Sequence, residues 1–402
     1  MAMNGKPFRW VTGIFAVAFV ACQPVSTATP IATSSTIILI LALPTDTPTP
    51  QFTATELPTL LPTPTVPASV IELEGTEVQP GFSIIKFADV YRPTAFAFDE
   101  LGRMYVTSFD GNIYLLGDLN LDGRADSQTT FAAGYYLPLG ITVHIPSGDV
   151  YVSHQSAITV LSDTDADGKA DTRRVLVHNL PTDRHQNDNL KFGPDGWLYM
   201  GLGSTCDACT ELNPKSATIL RFNIDTGASE IYATGLRNPY DIAFDPLSGD
   251  LFATDNGRDD LGMDVPFEEL NHIVQGGNYG FPNCWNAQDQ PGCESTISAV
   301  AFFEAHSSVN GLDFYNGAKF PIEYRGNAFV SILGSWLKPN VQTGIQRVIL
   351  DKQGDTYAGS TSWFIRFPEG VMPLPLLFGP DGALYVGDYI NDVIYRISYG
   401  IP

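Results

Sequence analysis

Basic residues are scarce in this chain. Only 22 lysines and arginines stand against 44 aspartates and glutamates over 402 residues, a formal charge of −22. A field of that sign repels nucleic acid and anionic lipid headgroups, so neither is expected as a partner. It suits cations, soluble polar substrates or a basic protein, and it also keeps a surface solvated. Cysteine is scarce too, with five residues. None lies in a Cys-x-x-Cys-His arrangement, so the chain has no covalent haem of its own. Long apolar runs are missing: Trp10 to Ala21 and Ile37 to Leu43 are both too short to cross a bilayer as helices. Amphipathic helical periodicity is almost absent. What is present is 44% hydrophobic and 11% aromatic residues, enough for a large core. One unit could hold it, since propellers and barrels use roughly 250 residues or more.

The amino-terminal region reads as an export signal. Lys6 and Arg9 form a short basic stretch before the apolar run, which ends in Phe19-Val20-Ala21-Cys22. This resembles a bacterial lipobox, so residues 1–22 are expected to be a lipoprotein signal peptide with Cys22 lipidated. The protein is then expected outside the cytoplasm, on the extracellular or periplasmic face, held to the membrane by its lipid alone. Residues 23–73 are rich in threonine and proline and are expected to be an extended linker. With Cys22 set aside, the other four cysteines form two local pairs. In an exported protein these read as two disulfides, Cys206–Cys209 and Cys284–Cys293. The rival, a zinc site, has a single Cys-x-x-Cys and no histidine at ligand spacing.

From residue 74 to 402 the chain repeats one pattern: an alternating strand, a tight turn with glycine or aspartate, and a second strand rich in tyrosine, valine and leucine. It occurs at residues 94–109, 140–154, 189–203, 241–255, 311–333 and 375–389. The period-two alternation around each turn predicts hairpins, and most copies are followed by a further strand. The fold class expected is all-β, a six-bladed β-propeller. A β-sandwich would not repeat one hairpin signature six times.

Two loops share an acidic pattern with glycine at the sixth position. One carries Asp118, Asn120, Asp122 and Asp126, the other Asp163, Asp165, Asp167 and Asp171. Oxygen side chains at positions 1, 3, 5 and 9 around a sharp glycine turn suit a hard cation such as Ca²⁺. The glutamate at position 12 and the flanking helices of a regulatory EF-hand are absent, so a stabilising role is expected.

The densest polar constellation runs from Asp183 to Cys209 and includes Arg184, His185, Gln186 and Ser204. Leu236-Arg237-Asn238-Pro239, Asp255-Asn256-Gly257-Arg258-Asp259-Asp260 and Gly276-Gly277-Asn278-Tyr279-Gly280-Phe281-Pro282 follow it in order. Together with Ala305-His306-Ser307 and Gly334-Ser335-Trp336, these motifs resemble the quinoprotein glucose/sorbosone dehydrogenase family over residues 80 to 400. The resemblance implies a propeller that binds pyrroloquinoline quinone and Ca²⁺ and oxidises a sugar, passing electrons to an external acceptor. It aligns His185 with the family's general base and Arg237 with the arginine that polarises the quinone oxygen. Asn238 and Asn256 become cofactor contacts, and the carbonyls of Gly257 and Arg258 become ligands of the cofactor's calcium. An imidazole suits proton removal because its pKa lies near working pH. Three positions depart from the family pattern. Ser204 stands where an aspartate orients the histidine, Leu333 replaces a histidine, and Met372 lies where an arginine is expected. Such an arginine contact is worth about 1.5–3 kcal/mol, and Lys338 is the candidate to replace it. Two other functions stay open at this point: a non-catalytic propeller binding carbohydrate or protein, and a calcium-dependent lactone hydrolase.

Overall fold

A computed structural model describes residues 67–401. Cys22, the signal peptide and the linker up to residue 66 lie outside the described residues. Each of the six sequence repeats forms a hairpin that continues into a third and fourth strand, giving six antiparallel sheets. Blade one comprises Pro93–Phe98, Met104–Ser108, Asn112–Gly117 and Ser127–Ala133; blade two comprises Gly140–His144, Asp149–His154, Ala157–Ser162 and Thr172–Val177. Blade three is built from Asn187–Phe192, Leu198–Leu202, Thr218–Phe222 and Ser229–Thr234, and blade four from Ile242–Phe244, Leu251–Asp255, Glu268–Ile273 and Ala301–Phe303. Blade five has Val309–Phe314, Ala328–Ile332, Gly344–Gln353 and Thr356–Arg366, with Glu77–Val78 added at its edge. Blade six takes Pro373–Phe378, Leu384–Asp388 and Val393–Tyr399 from the end of the chain and Phe82–Asp89 from its other side. The expected all-β six-bladed propeller is borne out, with no α-helix among the described residues.

The ring closes in blade six, where Phe82 pairs with Tyr399 and the ladder runs to Asp89 opposite Val393. Pairing begins earlier than the expected boundary at residue 74: Ile84 donates to Val70 (2.8 Å) and Glu72 donates to Ile84 (3.0 Å). First strands of neighbouring blades lie side by side all the way round, including Pro373–Phe378 beside Pro93–Phe98. Six apolar clusters fill the six gaps between blades. Second strands such as Leu198–Leu202 are therefore buried along their whole length, while the outer strand Thr172–Val177 is largely exposed. Faces covered on both sides explain why these strands read as continuous apolar runs.

The repeated Phe-Gly-Pro-Asp-Gly turn is structural. Asp195 accepts the amide of Trp197 (3.1 Å) and the hydroxyl of Tyr199 (2.8 Å). Asp381 does the same for Ala383 (3.1 Å) and Tyr385 (3.1 Å) in blade six. In an antiparallel hairpin the entry to strand one and the exit from strand two fall at the same end. The segments around residues 184, 204, 237, 256, 306 and 335 therefore meet at one mouth of the ring. The acidic loops, which join strands three and four, lie on the opposite face.

Candidate active site

A cleft of about 490 Å³ opens at that mouth. Its wall includes Arg184, His185, Arg237, Asn238, Asn256, Gly257, Asp259, Glu268, His306 and Trp336. The volume falls in the range of small-molecule sites. Trp336, 77% exposed, stands at its rim.

His185 precedes the first strand of blade three, and Ser204 follows the second. Nδ1 of His185 lies 3.0 Å from the carbonyl oxygen of Ser204 and 2.9 Å from its Oγ. The Ser204 hydroxyl donates to the carbonyl of Cys206 (2.7 Å). Both atoms facing Nδ1 are therefore acceptors, so Nδ1 carries the proton and Nε2 keeps its lone pair. Burial, and after it the positive charge of Arg237, push the pKa of His185 down to about 3. The imidazole is neutral at ordinary pH and can accept a proton at Nε2. Gly203 makes the arrangement possible, because a side chain there would collide with the Cβ of His185.

Arg237 is 4% exposed. Its Nη2 contacts Asp207 Oδ1 (2.6 Å) and Asp259 Oδ2 (2.9 Å), Nε donates to the Asp207 carbonyl (3.0 Å), and Nη1 donates to the Asn256 carbonyl (3.2 Å). A guanidinium has five N–H donors, so one Nη1 N–H has no protein acceptor among these contacts. The backbone turn beneath is fixed by Asp255, which accepts the amides of Arg237 (3.0 Å) and Asn238 (2.7 Å). Burial raises Asp255 to about 7. Glu268, which accepts the amide of Gly257 (2.6 Å), is raised by burial to about 8. Arg184 joins the network through Asp259 (2.6 Å), and His306 Nε2 donates to the carbonyl of Gly262 (2.7 Å).

The cleft wall also offers acceptors that nothing in the protein satisfies. Oδ1 of Asn238 and Oδ1 of Asn256 are buried without hydrogen-bond partners. Among the described residues the carbonyl oxygens of Gly257 and Arg258 accept no hydrogen bond. A side chain at 257 would meet Pro266 at 2.6 Å, so the backbone approaches closely there. Unsatisfied oxygens beside arginine in a polar cleft fit an anionic ligand held together with a hard cation.

The structure brings together His185, Arg237, Asn238, Asn256 and Gly257, while the side chain of Arg258 turns to Asp260 (2.6 Å) and the Pro282 carbonyl (2.6 Å). Lys338 lies apart from this group. Its ammonium is engaged by Glu304 (3.1 Å) and Asp264 (3.3 Å) and does not line the cleft. Ser335 Oγ accepts the amide of Lys338 (2.8 Å), and this turn carries the side chain away. Met372 holds Asp388 through its amide (3.1 Å) and supplies no charge. Sequence reasoning assigned no role to Asp207 or Asp259, although both lie within quoted stretches, nor to Glu268; what marks the two aspartates is the pair of carboxylates that the fold gathers on Arg237.

The two acidic loops share one conformation. Asp118 accepts the amides of Asp122 (3.2 Å) and Gly123 (2.8 Å), as Asp163 does those of Asp167 (3.2 Å) and Gly168 (3.0 Å). Both glycines sit at φ 84°, a left-handed geometry that glycine reaches without strain. Carboxylate oxygens of Asp163, Asp165 and Asp171 lie within 4.8 Å of one another. Each loop docks on the preceding blade, Ala125 donating to Phe87 and Ala170 to Phe131 (both 2.9 Å). The paired cysteines form the expected disulfides, Cys206–Cys209 and Cys284–Cys293.

A family profile described as Domain of unknown function (DUF7133) matches residues 71–397. The chain belongs to that family. Quinoprotein glucose dehydrogenase B of Acinetobacter calcoaceticus is 30% identical over 177 residues, 36% of this chain and 35% of that protein. Aldose sugar dehydrogenase of Escherichia coli is 27% identical over 241 residues, 53% of this chain and 60% of that protein. The calcium structure of the Trichoderma reesei Carbohydrate-Active Enzymes Family AA12 protein has a TM-score of 0.72 at 19% identity, covering 82% of this chain and 98% of that one. That last likeness shows the fold. The chain spans about half or less of the first curated relatives it matches, 53% of one and 28% of another. Its relatives thus include quinoprotein sugar dehydrogenases, the family its motifs resemble.

Proposed function

We propose that this protein is an oxidoreductase that oxidises a sugar, or a related alcohol or aldehyde, with pyrroloquinoline quinone and Ca²⁺ as cofactors. The observation that carries the reading is a neutral histidine, locked with its proton on Nδ1, facing a polar cleft beside a buried arginine. Bound in the cleft, the quinone supplies a two-electron hydride acceptor. With it bound, His185 would take the hydroxyl proton at Nε2 while the hydrogen on the sugar carbon departs as hydride. Arg237, fixed by Asp207 and Asp259, holds positive charge where negative charge develops. The amide oxygens of Asn238 and Asn256 and the carbonyls of Gly257 and Arg258 are the groups to hold the cofactor and its cation. Turnover would require an external acceptor for the two electrons.

The test is to titrate the purified protein with pyrroloquinoline quinone and Ca²⁺ and to follow dye reduction with a panel of aldoses. His185→Ala should lower kcat by about 10²–10⁴-fold with the fold retained. No quinone bound at micromolar concentration would sink the reading. Met372, where an arginine contact was expected, favours the competing view of a propeller that binds carbohydrate without chemistry. Sugar binding with no quinone uptake would be its signature.

A further inference from the structure

The Cys206–Cys209 disulfide closes a four-residue loop beside the cleft. Two consecutive residues of this loop reach the two groups proposed for the chemistry. The carbonyl of Cys206 accepts the Ser204 hydroxyl (2.7 Å), which in turn faces His185 Nδ1 (2.9 Å). Asp207 accepts from Arg237 twice, at its carbonyl (3.0 Å) and at Oδ1 (2.6 Å). These bonds start from Nε and Nη2, one edge of the planar guanidinium, so together they set its plane. Asp207 Oδ1 also accepts the amide of Asp259 (3.0 Å), whose carboxylate is the second anion on Arg237. The loop is itself braced: Glu211 accepts the amide (2.7 Å) and hydroxyl (2.6 Å) of Thr205. A salt bridge made only for stability would use the carboxylate; here the backbone carbonyl of the same residue completes the pair.

We propose that Asp207, clamped by the Cys206–Cys209 disulfide, is a positioning residue that aims Arg237, while the same loop orients the Ser204 hydroxyl that faces His185. The inference rests on the function proposed above. It places a covalent clip under both reacting groups. Opening the clip by Cys206→Ser with Cys209→Ser should loosen both at once.

A double-mutant cycle on the full chain tests it, with wild type, Asp207→Ala, Arg237→Ala and the double variant. Four quantities are read: kcat, KM for the aldose, the quinone dissociation constant by equilibrium dialysis, and the melting temperature. Misplacing a catalytic group by about 1 Å costs on the order of 10²-fold in rate. Asp207→Ala should therefore lower kcat by about 10- to 100-fold, weaken quinone binding, and leave the sugar KM within about twofold. In the Arg237→Ala background the same change should alter kcat and quinone binding by less than about twofold, because the residue acts through Arg237. Asp207→Asn keeps the accepting oxygen and should recover part of the loss. It also replaces Asp207→Ala in the cycle should that variant fail to fold. Additive losses in the double variant, or an Asp207→Asn enzyme no better than Asp207→Ala, would overturn the positioning role alone. Wild-type protein that takes up no quinone would overturn the proposed function and this inference with it.

Discussion

Ser204→Ala isolates the support of His185. The substitution removes the Oγ at 2.9 Å from Nδ1 but keeps the Ser204 carbonyl at 3.0 Å. The remaining acceptor still requires a proton on Nδ1, so the tautomer should persist. The loss is that of one neutral hydrogen bond, about 0.5–1.5 kcal/mol, equivalent to about a two- to thirteenfold fall in kcat. Steady-state dye reduction between pH 4 and 8 reads it. The same assay reads the acid limb. The base works only when Nε2 is unprotonated. With a folded-state pKa of about 3, His185 stays more than nine-tenths in that form down to about pH 4. An ordinary histidine, titrating near 6.5, would lose about fivefold in rate between pH 6.5 and 5.5. The rate of wild type and of Ser204→Ala should thus be flat on the acid side as far as His185 governs it. A fall above about 10³-fold in Ser204→Ala would refute the claim that the carbonyl suffices to hold the ring. An acid limb centred near pH 6.5 would refute the claim that burial and Arg237 keep it neutral.

Gly203→Ala places a methyl against the Cβ of His185; kcat should fall by more than about tenfold while the melting temperature moves by a few degrees at most. Calcium on the acidic loops should stabilise the fold by about 2.7 kcal/mol at a hundred times its dissociation constant. Calorimetry should show the melting temperature rising with Ca²⁺, and the rise shrinking in Asp163→Ala with Asp165→Ala. Phe82, 1% exposed, meets Phe320, Tyr324, Phe364 and Tyr399 edge-on at 4.7 to 5.3 Å between centroids. Phe82→Ala should cost about 3–5 kcal/mol in urea unfolding because it empties the seam that closes the ring. The expected lipid on Cys22 predicts that Cys22→Ala moves the protein from the membrane fraction to the soluble one.

The ring was legible because its evidence is local. Alternation with period two, a turn carrying Asp195 or Asp381, and an apolar second strand such as Leu198–Leu202 are set by neighbours a few residues apart. The acidic loops and both disulfides were legible for the same reason, since every partner lies within nine residues. The convergence of His185, Arg237 and Asn256 could be anticipated from strand direction alone. Long-range partners were not legible. Phe82–Asp89 closes a blade whose other strands lie some 300 residues later, and no local pattern marks that pairing. Lys338 looked available to a cofactor in sequence, yet Glu304 and Asp264 take it. Arg237 aligned in sequence with an arginine that polarises a quinone oxygen, but its partners Asp207 and Asp259, which occupy most of its donors, could not be read there. The carboxyls of Asp255 and Glu268 rise to about 7 and 8 only because blade packing strips their water. The sequence by itself determined the blades, their turns and the set of polar residues at one mouth, because hydrogen-bonded hairpins are specified by adjacent residues. Tertiary structure decided which of those charges pair and which stay neutral, because Coulomb energy and desolvation depend on distance and burial, and neither is written along the chain.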